Sequence, residues 1–93
     1  MVDKNAGLPA NPDDLTMREL VLYIAKALVD FPEKVDVVAI ESQNSVILEL
    51  KVAPEDVGKV IGKGGQTAKA MRKILSAAAT KLHKKSLLQI IEE

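Results

Sequence analysis

Cysteine and tryptophan are absent from this 93-residue chain, and it has one histidine (His83), one tyrosine (Tyr23) and one phenylalanine (Phe31). Without cysteine there is no disulfide framework, no thiolate metal site and no thiol nucleophile. A lone histidine offers no zinc cluster and little scope for a Ser-His-Asp relay. So few aromatic rings exclude a mechanism built on a platform of stacked bases. Long apolar runs are missing too: the run Leu20 to Ala25 is stopped by Lys26, far short of the roughly 20 residues that span a bilayer. Met1 to Asp14 is polar and proline-containing, with no charged stretch leading into an apolar core, so no signal peptide is expected. These absences predict a cytoplasmic protein without a membrane partner. What remains, 47% apolar and 28% charged residues, is globular composition, and the length allows one domain with no room for a second, catalytic one.

The formal net charge is zero, but the charges are segregated. Between Gly58 and Lys85 lie Lys59, Lys63, Lys69, Arg72, Lys73, Lys81, Lys84 and Lys85, with no Asp or Glu among them. Residues 1–57 are acidic, with eleven carboxylates against five bases. Such asymmetry points to a polyanionic partner for one half, the plainer alternative being a solvated basic helix face.

Residues 1–13 contain Gly7, Pro9, Asn11 and Pro12 with no apolar period and read as a flexible tail, leaving 14–93 as the domain. A helix is predicted to start near Leu15 or Thr16, where Thr16 and Glu19 have the spacing of a capping box. Leu20, Val21, Ile24, Leu28 and Phe31 would form its apolar stripe, with Pro32 as the stop. Val35 to Glu41 and Val46 to Val52 read as strands joined by the turn Ser42-Gln43-Asn44-Ser45. In the second strand Val46, Leu48, Leu50 and Val52 face one way; Ile47, Glu49 and Lys51 face the other. Pro54, Glu55 and Asp56 open a short helix through Val57, Val60 and Ile61. A longer one spans Gln66 to Leu82 with Ala68, Met71, Ile74, Leu75, Ala78 and Leu82 buried, and Ser86 to Ile91 is a third strand. Three strands with helices on one face make a two-layer α+β domain.

The informative segment is Val57-Gly58-Lys59-Val60-Ile61-Gly62-Lys63-Gly64-Gly65-Gln66-Thr67. It is not a P-loop: three residues separate Gly58 from Gly62, and Gly64 follows Lys63 where Ser or Thr is needed. Nor is it a dinucleotide fingerprint, because a helix rather than a strand precedes it and Thr67 stands at the last glycine position. What is left is a helix–GKGG–helix hairpin, in which glycines let a sugar-phosphate backbone approach and the next helix offers free amides and a positive dipole end. Lys63 would meet a phosphate at the tip, and Lys69 with Lys73 would continue the track. A mere tight corner between helices would need fewer glycines and no lysine at its apex.

Val60-Ile61-Gly62-Lys63-Gly64-Gly65 resembles the VIGxxG signature of KH domains, whose GxxG loop clamps about four nucleotides of a single strand. The order α-β-β-α-α-β resembles the type II KH topology, and the stretch DVGKVIGKGGQTAKAMRKIL resembles the small bacterial KH proteins of the KhpA family. One position departs from that pattern: Ala68 stands where the family carries a large aliphatic residue. The resemblance implies single-stranded RNA as ligand (single-stranded DNA also fits such a clamp), no cofactor and no enzymatic activity. It also implies a homodimer, pairing with a larger KH protein of the KhpB (Jag) type, and a role as RNA chaperone or post-transcriptional regulator. The residues it assigns to RNA are Gly58, Lys59, Ile61, Gly62, Lys63, Gly64, Gly65, Gln66, Lys69, Arg72 and Lys73. Among them, Ile61 reads as core or as groove wall, and Lys59 as groove border or solvated side chain. With Tyr23 and Phe31 assigned to the first helix, recognition should be weakly sequence-specific. The alternative is an assembly module that docks protein through its groove or through a sheet face containing Ile47.

Overall fold

The computed structural model describes residues 16–92; the 1–13 tail, the domain start at residue 14 and Leu15 lie outside them. The order is α1 (Met17–Leu28), β1 (Asp36–Glu41), β2 (Ser45–Val52), α2 (Val57–Ile61), α3 (Gln66–Lys81) and β3 (Lys85–Glu92). This is the expected α-β-β-α-α-β order, and the α+β two-layer architecture is present. β2 is the central strand: it pairs antiparallel with β1 and parallel with β3. A parallel neighbour needs a crossover, and the α2–α3 hairpin is that crossover. The sheet therefore fixes where the glycine loop stands.

Alternation in β2 sends Val46, Leu48, Leu50 and Val52 into the helix layer, all fully or nearly fully buried. They meet Met17, Val21 and Ala25 of α1, Val60 of α2, Met71, Leu75 and Ala79 of α3, and Leu88 of β3. Burying a Leu or Val side chain contributes about 1.5–3 kcal/mol, so the middle strand anchors the fold. Its hairpin turn is the expected one, with the Ser42 amide bonded to the Ser45 carbonyl at 2.8 Å. The Lys85 amide donates to the Asn44 carbonyl at 2.9 Å, which ties the start of β3 to the same turn.

Several sequence expectations need correction. α1 stops at Leu28 rather than running to Pro32, and Leu28 and Phe31 are exposed instead of buried. A single 3-10 turn, Pro32–Lys34, follows, so β1 begins at Asp36 and not at Val35. Ile61 is exposed, against the core reading. In α3 the buried stripe is Ala68, Met71, Leu75 and Ala79; Ile74 and Leu82 are exposed, and Ala78 is only half-buried. Steps of three and four residues through 68, 71, 75 and 79 define a narrow seam, beside which Ile74 and Leu82 fall. Ala68 lies in that seam, so its small size bears on helix packing rather than on a groove lining.

The end of α3 is closed by a device the sequence conceals. His83 takes φ 59°, its amide bonds Thr80 O at 3.0 Å, and the Lys84 amide reaches back to Ala79 O at 2.9 Å. This is the left-handed cap that usually carries glycine.

Candidate nucleic-acid interface

The three helices start in three different ways. α1 has the capping box: Thr16 Oγ1 accepts from the Glu19 amide at 3.0 Å, and Glu19 Oε1 accepts from the Thr16 amide at 3.3 Å. At α2 the N-cap is Asp56, a wholly buried carboxylate that does not cap its own helix. It turns instead to the chain after α1, accepting from the amides of Asp30 at 3.1 Å and Phe31 at 3.0 Å. α3 starts at Gly65 with no side-chain cap and no acid in its first turn. The Gln66 amide closes on the Lys63 carbonyl of the preceding turn; the amides behind it have no capping side chain, and the positive dipole end faces whatever lies in front.

In front of them lies the glycine loop. Gly62 has φ 78° and ψ 170°, a conformation that belongs almost wholly to glycine. A Cβ there would overlap Thr67 Oγ1 and come within 2.9 Å of the Thr67 amide nitrogen, so this glycine serves the fold. Gly64 (φ 64°, ψ 17°) and Gly65 (φ 75°, ψ 12°) are left-handed, yet a Cβ on either would meet nothing within 4 Å. The space above them is open. Lys63 and Gly64 begin a single turn, where helical geometry supplies no acceptor for the leading amides, and the Gly65 amide closes that turn on Gly62 O at 3.0 Å.

Gly58 needs a different explanation. It lies one turn before Gly62 inside α2, is exposed, has no positive φ, and a Cβ would again meet nothing within 4 Å. Neither conformation nor packing requires glycine, although glycine in a helix interior costs about 1 kcal/mol relative to alanine. Ile61, three residues on, leaves an aliphatic surface beside it.

The basic residues separate into two groups. Lys63, Lys69 and Lys73 are exposed and make no ion pair among the described residues, with Lys69 and Lys73 one turn apart on α3. Gln66, the first residue of α3, is also exposed. Lys59 is committed elsewhere: its ammonium lies 3.0 Å from Asp30 and 3.4 Å from Asp56. Those two carboxylates, the Asp30 hydrogen bond foremost, raise the Lys59 pKa despite partial desolvation. Burial alone would raise the Asp56 carboxyl, but the bonds from the Asp30 and Phe31 amides and from Lys59 outweigh it and hold the group below its ordinary value. Arg72 reaches the Leu88 carbonyl of β3 at 3.4 Å, which places it between α3 and the sheet edge. Lys84 pairs with Glu41 at 3.1 Å.

Sequence reasoning missed Asp56 as an organising residue. Its partners are 25 and 26 residues away, and only its position at a helix start hinted at a role. Through it Phe31 leaves the first helix, to which it had been assigned, its amide tied to the N-cap of α2 and its ring under the Lys34 ammonium, 5.7 Å from the ring centroid.

The helix–GKGG–helix hairpin expected from the sequence is present, and it lies in the crossover between two parallel strands. A family model for the KhpA/KhpB KH domain matches residues 18–90. The chain belongs to this KH-domain family. The RNA-binding protein KhpA of Clostridium perfringens is 57% identical over 75 residues, covering 81% of this chain and 100% of its own. The proteins of that name from Caldanaerobacter subterraneus and Aquifex aeolicus are 56% and 45% identical, covering 81% and 82% of this chain and 100% and 96% of their own. No solved structure matches it. This is a family of RNA-binding KH proteins and not of enzymes.

Proposed function

We propose that the chain binds single-stranded RNA by holding a short stretch of sugar-phosphate backbone on the Gly62–Gly65 loop, against the open amino end of α3. The observation that carries this reading is that uncapped helix start, with no acid in its first turn, behind two glycines that border open space. Lys63 meets phosphate at the tip, and Lys69 and Lys73 extend the charge along α3. The bases lie over Gly58 and Ile61, where a missing side chain and an exposed aliphatic one make a shallow apolar surface. Arg72, already held by Leu88 O, borders that surface with its remaining donors. Lys59 serves the fold through Asp30 and Asp56 rather than the ligand.

Tyr23 lies on α1, and Phe31, its amide held by Asp56 at the start of α2, has its ring under Lys34; the glycine loop itself carries no aromatic residue, so recognition rests on backbone geometry and apolar contact and discriminates weakly among sequences. The domain is thus a type II KH module with one small groove and an affinity on the order of micromolar. Pairing with a second copy, or with a larger KH protein of the KhpB (Jag) type, raises the effective concentration on one strand. A role as RNA chaperone or post-transcriptional regulator in the cytoplasm fits such binding.

The test is binding of short labelled single-stranded RNA and DNA across a salt series, with wild type beside a Lys63→Asp, Gly64→Asp double variant. Three phosphate contacts predict a slope of log affinity on log salt of about −2. The variant should keep its circular dichroism and lose binding, and the RNA-to-DNA ratio names the ligand. Equal binding by both proteins, or none by wild type, would remove the loop from the mechanism.

A further inference from the structure

Among the described residues the helices cover only one face of the sheet: α1 packs over β1 and α3 over β3. On the bare face the register aligns Ile40, Ile47 and Leu87 in one row across all three strands. Val38 extends the row along β1. Val38, Ile40 and Leu87 are 47%, 51% and 50% exposed, while Ile47 between them is half-buried. Contiguous aliphatic side chains on an otherwise solvated sheet face mark an interaction surface. This face is built by strands that do not contribute the glycine loop, so it stands independently of the RNA-binding reading.

The charge on the face selects the occupant. Glu49 follows Ile47 by two residues on the middle strand, with Val38 and Gln89 as its neighbours across the sheet. It is half-buried and has no ion-pair partner among the described residues; Lys51, next along the same face, does not bond it. Covering an unpaired carboxylate is costly, so whatever sits here must bring a cation to it. Three strands span about 10 Å between the outer backbones, close to the diameter of one helix.

We propose that this bare sheet face docks an amphipathic helix from a partner protein, its apolar stripe on Ile40, Ile47 and Leu87 and one Lys or Arg in that stripe paired with Glu49. The test uses two synthetic helical peptides with a leucine stripe, one carrying a single arginine within it and its twin carrying glutamate there. Affinity is read by fluorescence anisotropy and the site by methyl chemical shifts of the full chain. The arginine peptide should bind about tenfold tighter than its twin, shifting the Val38, Ile40, Ile47 and Leu87 methyls and leaving Ile61 and Ile74 unmoved. Glu49→Lys should invert the preference and Glu49→Gln should abolish it, both with RNA binding unchanged. Equal affinity for the two peptides, failure of both to bind, or shifts confined to the helix layer would overturn the proposal. So would sheet-face methyl shifts that depend on the concentration of the protein alone, since a second copy would then be the occupant.

Discussion

The amino ends of α1 and α3 face the same problem, orphan amides and a positive dipole end, and the chain treats them in opposite ways. At α1 two side chains close the end, Thr16 on the Glu19 amide and Glu19 on the Thr16 amide. At α3 there is no capping side chain and no carboxylate, but a glycine N-cap with lysines at 63 and 69 on either side. A helix start that serves only the fold is closed by its own residues; one that is left open, with cations around it, is suited to an external anion. α2 is intermediate, because its N-cap carboxylate is spent on the segment that follows α1.

The comparison can be broken at several points, and the largest effect is expected at Gly62. Gly62→Ala forces a side chain into a glycine-only conformation against Thr67 and should cost about 3 kcal/mol in chemical denaturation, with RNA binding lost as the corner reshapes. Thr16→Ala removes the closed cap and should cost about 1 kcal/mol while leaving RNA affinity where it was. If Thr16→Ala weakened binding, the two helix starts would not be separate devices.

Asp56 sharpens the middle case through pH. Its carboxyl is held below the ordinary 3.8, so its contribution to stability is complete above that value and is lost as pH falls through the lower, folded-state value. Lys59, raised above 10.5, loses its contribution only as pH climbs past that region. Asp56→Asn should therefore melt below wild type near neutral pH, with the gap closing as pH falls below 3.8. A gap that stayed constant across the acid range would mean that the carboxylate's charge plays no part.

Much of this was legible in the sequence, for identifiable reasons. Alternation in Val46 to Val52 is strict because one side of β2 is buried from end to end, so its facing could be read directly. The Thr16–Glu19 box and the GKGG run are local, and local signals survive without a structure. The missed features depend on distant partners. α1 ends at Leu28 because Asp56 holds the amides of Asp30 and Phe31, a contact no helical period encodes. Ile74 and Leu82 look like core on a helical wheel, yet the sheet is only three strands wide and α1 shares it, so α3 buries a seam too narrow to include them. Lys59 read equally well as ligand contact or solvated side chain; only the convergence of Asp30 and Asp56 shows that its charge is already matched.

The most direct test of the open helix start is the smallest change, Gln66→Glu, which puts a carboxylate into the first turn of α3 with almost no change of shape. Thermal stability and single-stranded RNA affinity are to be measured on the same protein at low salt. The acid complements the dipole, so stability should rise by about 0.3–1 kcal/mol, while it competes with phosphate and should weaken RNA binding about fivefold. Opposite signs in the two readouts are what an amino end reserved for a phosphate predicts. A chain that gains stability and binds RNA as tightly as before would show that the phosphate does not lie there.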